Sequence, residues 1–256
     1  MTVVAERLGD FQRTFAERVS TRTLPTAFGT AYFHDDFPRR FDSNHVWVDA
    51  PLDGMKAEAL AAEADRVQAD LGHRKLSHLD DGPEARMLVP GLVGLGYRAE
   101  RLLTMVQVRE PDLRSEEVPE EAGADELGPF LIHVNQEADG GINAADAEML
   151  SAFRHVLAER AGARFFVVRS EGEIVAIAEL YPSDDVAQVE AVYTLDGYRG
   201  RGFGRAVVLA ASDAARDAGA DLVFLNADDE DWPKLLYGKL GFDELRRSWS
   251  LVKSPD

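Results

Sequence analysis

Arg199-Gly200-Arg201-Gly202-Phe203-Gly204-Arg205 is the densest run of chemistry-bearing residues in this 256-residue sequence. Arginine offers charge-assisted, forked donors that match phosphate oxygens. Glycine at 200, 202 and 204 removes the Cβ atoms that would keep a phosphate off the backbone. The run follows the β-branched stretch Val192-Tyr193-Thr194-Leu195. It opens a helical pattern, with apolar residues at 203, 207, 210, 211, 214 and 218 and a stop at Gly219. A helix start leaves backbone N–H groups without partners and carries roughly half a positive charge. Strand, glycines, arginines and helix start together make a cradle for a diphosphate. The spacing is Arg-x-x-Gly-x-Gly. A dinucleotide fold needs Gly-x-Gly-x-x-Gly after the first strand of a parallel unit, and a Walker loop needs Gly-x-x-x-x-Gly-Lys-Ser/Thr; the sequence has neither arrangement.

The elements that must position this loop are legible around it. Arg164 to Arg169 is β-branched and aromatic, Glu171-Gly172-Glu173 turns the chain, and Ile174 to Tyr181 returns it, a hairpin. Pro182-Ser183-Asp184-Asp185 turns it again, into the strand Ala187 to Leu195. After the helix from Gly202 to Ala218 comes a short buried strand, Asp221 to Asn226. A second helix runs from Asp231 to Leu240 with Pro233 in its first turn, and a last strand from Glu244 to Val252. Upstream, Asn143 to Ala161 and Asp125 to Gln136 read as helices.

The N-terminal half repeats this plan in degraded form. Leu95-Gly96-Tyr97, with the strand through Val106, parallels Leu240-Gly241-Phe242 and its strand. Ala59 to Gly72 parallels the helix ending at Gly219, His45 to Val48 the strand ending at Thr194, and Ala31 to Asp36 the strand ending near Tyr181. A period of about 146 residues indicates a duplicated domain and not a solenoid. The expected division is residues 1–110 and 111–256, near Arg109 to Leu113, where apolar content falls and acids accumulate.

At this point the chain resembles the GNAT superfamily of acyl-CoA-dependent N-acyltransferases. The residues that carry the resemblance are Arg199-x-x-Gly202-x-Gly204 after Val192-Tyr193-Thr194-Leu195, then Asn226, then Leu236-Tyr237-Gly238-Lys239-Leu240-Gly241-Phe242. It covers about residues 113 to 252. It implies an α/β (α+β) fold: two GNAT-like domains, each a mixed, mostly antiparallel, splayed sheet flanked by helices. It further implies acetyl-CoA as co-substrate. Backbone groups of Val192, Tyr193, Thr194 and Leu195 would hold the pantetheine arm, and Arg199, Gly200, Arg201, Gly202, Phe203, Gly204 and Arg205 the pyrophosphate. Asn226 would contact the cofactor, and Tyr237 would protonate the departing thiolate. Glu190, on the strand leading to the acetyl group, is the candidate base. Gln188 stands nearby where relatives often carry glutamate, and Glu179 on the neighbouring strand is a second candidate. The N-terminal half departs from the pattern: Asp49 to Lys56 sets two acids and a proline where the loop should lie, and Leu92 falls at the place of Tyr237. That half is expected to keep the fold without the cofactor site.

Composition narrows the partners. The formal net charge of -18 argues against nucleic acid and anionic membranes. Between Glu110 and Gly140 ten acids face one base, Arg114, a field suited to a cationic acceptor or a solvated linker. There is no cysteine, hence no disulfide, thiol nucleophile or thiolate metal site, and the six histidines show no metal spacing; no metal is expected. No secretory signal or membrane span is visible, and a cytoplasmic location is expected. Asp228 to Asp231 read as capping and first-turn acids of the next helix, and Trp47, Trp232 and Trp249 as core or interface residues. The expected activity is acetyl transfer to a primary amine of a small molecule or peptide by direct attack. A non-catalytic acyl-CoA binding or sensing module is the alternative, and a pure scaffold a third class. The oligomeric state is left open.

Overall fold

The structure, a computed structural model, describes residues 2–137 and 142–254. In chain order its elements are α1 (Thr2–Val19), β1 (Arg22–Thr26), β2 (Gly29–Phe33), β3 (His45–Val48), α2 (Ala57–Val67), β4 (Arg74–Asp80), α3 (Pro83–Gly94) and β5 (Arg98–Gln107). There follow β6 (Glu120–Ala122), α4 (Gly128–Glu137), α5 (Ala144–Ala161), β7 (Arg164–Ser170), β8 (Glu173–Pro182) and β9 (Val186–Thr194). The chain ends with α6 (Phe203–Asp217), β10 (Leu222–Asp228), α7 (Pro233–Lys239) and β11 (Phe242–Lys253). Two compact units form. The N-terminal unit holds Arg13–Thr104, Ala227–Asp231 and Leu245–Asp256; the C-terminal unit holds Met1–Gln12, Met105–Asn226 and Trp232–Glu244. The main crossing, at 104/105, falls ahead of the boundary expected at 110/111. The chain also recrosses, because β5 and β11 are long enough to serve one unit with each end.

In the N-terminal unit, β1, β2 and β3 pair antiparallel. β4 then runs parallel to β3, with α2 as the crossover, and pairs antiparallel with the C-terminal strand β11. Alternation in β3 sends Val46 and Val48 to the core, where Leu60 of α2, Leu76 and Leu79 of β4, Leu92 of α3 and Leu251 of β11 meet them. His45 and Trp47 take the other face, where Ala16 of α1 packs on Trp47 and Tyr32. Helix α2 buries Ala57, Leu60, Ala61 and Ala64, the spacing of one helical stripe.

In the C-terminal unit, β6, β7, β8 and β9 pair antiparallel. β10 runs parallel to β9 with α6 as the crossover. The run Ile174 to Tyr181 is buried on both faces, which is why β8 reads as nearly continuous apolar sequence. The first half of α1 docks here: Phe11 meets Phe224 edge-on, ring centroids 5.4 Å apart, and Arg7 pairs with Asp185 at 2.6 Å.

In chain order both halves follow one plan: a helix, three antiparallel strands, a helical crossover to a parallel strand, a further helix and a last strand; β6 is an addition in the second half. Equivalent features recur about 146 residues on. Gly96 and Gly241 both follow a helix with φ near +90°. The N–H of Asp81 donates to Arg247 O, and the N–H of Asp229 donates to Arg101 O. Gly241 is obligatory on a second count, since a Cβ there would lie 2.1 Å from the carbonyl oxygen of Arg109.

Candidate functional site

The site begins where two strands part. The parallel ladder of β9 and β10 runs from Leu222↔Val186 to Leu225↔Val189 and stops, while on the other edge β9 stays paired with β8 as far as Ala176↔Thr194. Between Ile177↔Tyr193 and Glu179↔Glu190 the register slips by one residue, a bulge on β9 at Ala191-Val192. Ala191 sits there at φ +50°, a conformation that costs a residue bearing a Cβ. Val192, Tyr193, Thr194 and Leu195 are half-buried along the parted edge, and the Leu195 N–H is spent on Val175 O at 3.0 Å.

The arginine–glycine loop closes the end of this gap. Gly202 is the N-cap residue of α6 at φ +90°, with no side chain capping the helix and no acid in its first turn. Gly204 passes Thr194 closely: a Cβ at 204 would meet its Oγ1 at 3.3 Å. Arg199 is braced by its Nε donating to Thr194 O at 3.2 Å, pairs with Asp196 at 2.8 Å and lies 5.8 Å from the Tyr193 ring. Arg201 donates to Gly197 O at 3.1 Å and lies over Tyr198. The Arg205 side chain folds across Gly202, and its Nε is buried without a hydrogen-bond partner. A buried guanidinium N–H without an acceptor, beside an uncapped helix start, fits a phosphate. Gly202, Gly204 and Arg205 thus lie together at the start of α6, with Arg199 and Arg201 in the loop before it. The equivalent stretch 49–56 is built differently. Leu52 and Met55 pack against the core of the N-terminal unit, Asp49 pairs with Arg13 at 3.7 Å, and Lys56 stands at the N-cap position of α2 without a side-chain cap.

A polar block lies on one face of β8 and β9. The register sets Glu179 opposite Glu190 and Tyr181 opposite Gln188. Glu179 has no exposed surface. It accepts from Arg154 Nε of α5 at 2.7 Å and from the Tyr181 hydroxyl at 2.5 Å. Burial, and then the charges of Glu179 and Glu190, raise the Tyr181 phenol well above its ordinary range. Glu190 is half-buried; its Oε2 accepts from Gln188 Nε2 at 2.5 Å and its Oε1 from the Ala191 N–H at 3.3 Å. Asn226 ends this part of β10, two residues past Phe224, the register partner of Gln188, and so on the same face. Tyr237 of α7 is buried, 8% exposed, its ring edge-on to Phe242 at 6.4 Å.

Two members of the block were missed in sequence. Arg154 falls on the buried stripe of α5 between Ala147, Ser151, Leu157 and Ala161, and a charge on a buried stripe demands a buried partner. Tyr181 was read as a strand end only. Among the described residues no group of three or more His, Cys, Asp or Glu side chains could hold a metal ion, and no helix is long and apolar enough to cross a membrane.

A parallel strand pair thus parts over a glycine–arginine helix start. Residues 132–242 match the sequence profile of the acetyltransferase (GNAT) family. Solved structures share the fold at low identity. A protein of unknown function from Staphylococcus epidermidis ATCC 12228 is 14% identical, covers 91% of this chain and 93% of its own, and has a TM-score of 0.70. A GCN5-related N-acetyltransferase from Kribbella flavida is 18% identical over 100% of this chain and 95% of its own, with a TM-score of 0.61. A tandem GNAT protein from the clavulanic acid biosynthesis pathway is 14% identical over 82% of this chain and 75% of its own, with a TM-score of 0.51. No curated protein matches the chain.

Proposed function

We propose that the C-terminal unit transfers an acetyl group from acetyl-CoA to a primary amine of a cationic acceptor, and that the N-terminal unit is a GNAT-like domain without a cofactor site. The observation that carries this reading is the cradle: an uncapped α6 start behind two positive-φ glycines, with the Arg205 Nε buried and unpartnered beside it. Arg199, Arg201, Arg205 and the first N–H groups of α6 would hold the pyrophosphate, and the parted edge of β9 from Val192 to Leu195 the pantetheine arm. The co-substrate supplies an electrophilic thioester carbonyl. Glu190 takes the proton as the acceptor's ammonium becomes an amine. The C–N bond then forms, the C–S bond breaks, and Tyr237 gives its proton to the thiolate. The chain has no cysteine, which is consistent with direct attack.

The cationic acceptor is supported by the net charge of -18 and by the acids between Glu110 and Glu137. Turnover of acetyl-CoA with a panel of polyamines, aminoglycosides and basic peptides tests the reading. Basic amines should be acetylated, with a KM for the amine that rises with salt more than the KM for acetyl-CoA does, since exposed charges are screened beyond about 8 Å at physiological ionic strength. A preference for acidic acceptors, or no salt dependence, contradicts the cationic assignment. The burial of Tyr237 favours a second reading, a module that binds acyl-CoA without turnover. Binding with no acetylation of any amine in the panel would select it.

A further inference from the structure

We propose that Gln188 is a positioning residue that orients the Glu190 carboxylate and keeps it ionised for the incoming amine; this rests on the reading of Glu190 as base given above. Gln188 is 7% exposed and lies two residues before Glu190, on the same face of β9. A carboxylate can only accept, so the amide group facing it at 2.5 Å is the NH2 donor. The other Glu190 oxygen is taken by the Ala191 N–H at 3.3 Å. The bulge makes that second bond available, because Ala191 has no register partner on β8. The strand therefore grips both carboxylate oxygens with neutral donors, and donors to the charged form favour it.

The charged and polar groups around Glu190 come from three further elements. Facing Glu190 from β8 are Glu179, directly opposite, and Tyr181; Arg154 reaches in from α5, and Asn226 shares the face from β10. The Arg154 Nε and the Tyr181 hydroxyl are both directed at Glu179. A glutamate at 188 would instead bring a third carboxylate to this face, within hydrogen-bond reach of Glu190. The two would share a proton, and their titration would become that of a pair.

The pH profile of kcat/KM, measured on the full chain with an accepted amine, separates this role from packing. Three variants are compared: E190Q, Q188E and the uncharged, similarly sized Q188L. E190Q should lose about 10²- to 10⁴-fold in kcat, the range of general acid–base catalysis. Q188E should move the acid limb up by about one pH unit or more, by like-charge coupling. Q188L should move it up by less and lower kcat. Thermal midpoint and acetyl-CoA affinity should stay near the wild-type values in Q188L, which serves as the fold control if Q188E folds poorly. An unmoved acid limb in Q188L and in folded Q188E, with E190Q inactive, overturns the proposal and leaves Glu190 as base. Wild-type turnover in E190Q overturns the base assignment and this inference together.

Discussion

In the proposed reaction a carboxylate with no exposed surface is out of reach of an acceptor arriving from solvent, and this separates Glu179 from the half-buried Glu190. Sequence ranked Glu190 ahead of Glu179 by its strand alone; the burial of Glu179 and its contact with Arg154 add a physical difference. Glu179, fully buried, is the ion-pair partner of the half-buried Arg154. Tyr237 poses the opposite question, for the motif points to a proton donor while its ring is packed on Phe242. A tyrosine can do both, burying its ring and presenting its hydroxyl. Removing only the hydroxyl, in Tyr237→Phe, should leave folding and acetyl-CoA affinity nearly unchanged and lower kcat at least tenfold, toward the low end of general acid catalysis. The thiolate departs tolerably on its own, its pKa being near 8.5 by comparison with cysteine. Wild-type kcat in Tyr237→Phe, with chemistry shown to be rate-limiting, would reduce the residue to packing.

The elements around the loop were legible from a helical period in α6 and from apolar, β-branched runs bounded by turn residues in the strands. The hairpin of β7 and β8, the amphipathic α6 and the short β10 fall within a few residues of their sequence expectations. Elements of the N-terminal unit were harder to see for identifiable reasons. β4 is bulged between Leu76 and Leu79, with His78 at φ +62°, so its core residues break the two-residue alternation. α3 carries Pro90 inside it, and β1 carries Pro25, which suits an edge strand only. α1 stands before β1 as α5 stands before β7, but it was not read from the sequence. Where β11 would go was also illegible, because strand exchange is a matter of partners and not of pattern. Its far end completes the N-terminal unit, with Leu251 fully buried among Phe33, Leu76 and Leu92. Leu251→Ala should cost about 2–5 kcal/mol, the usual cost of such a core truncation. Hydrogen exchange should show the loss in β2, β3 and β4, although the mutation lies near the C-terminus. Loss confined to β7, β8 and β9 would contradict the exchange.

At the scale of the molecule, the duplicated plan has diverged in what each unit buries. The N-terminal unit encloses imidazoles where the C-terminal unit has its carboxylate block. His78 stacks on Trp47, centroids 3.5 Å apart, and burial holds it well below the ordinary histidine range. Burial, with nearby Lys75, lowers His45 to about 4. The unfolded chain then binds more protons than the folded unit between about pH 6.5 and 4. Stability present above pH 6.5 should fall as the pH drops through this window, by about 3 kcal/mol for His45 alone. His45→Asn should flatten the acid side of a stability–pH curve; an unchanged curve would contradict the assignment. The claim that joins all scales is that one unit kept the phosphate cradle and the other lost it. Titration calorimetry of acetyl-CoA into the wild type and into Gly202→Asp tests it most directly. The substituted carboxylate would sit at the helix start, beside Arg205, where the phosphate should lie. The account predicts one site per chain in the wild type and loss of binding in a folded Gly202→Asp variant; two sites per chain, or undiminished affinity in the variant, would contradict it.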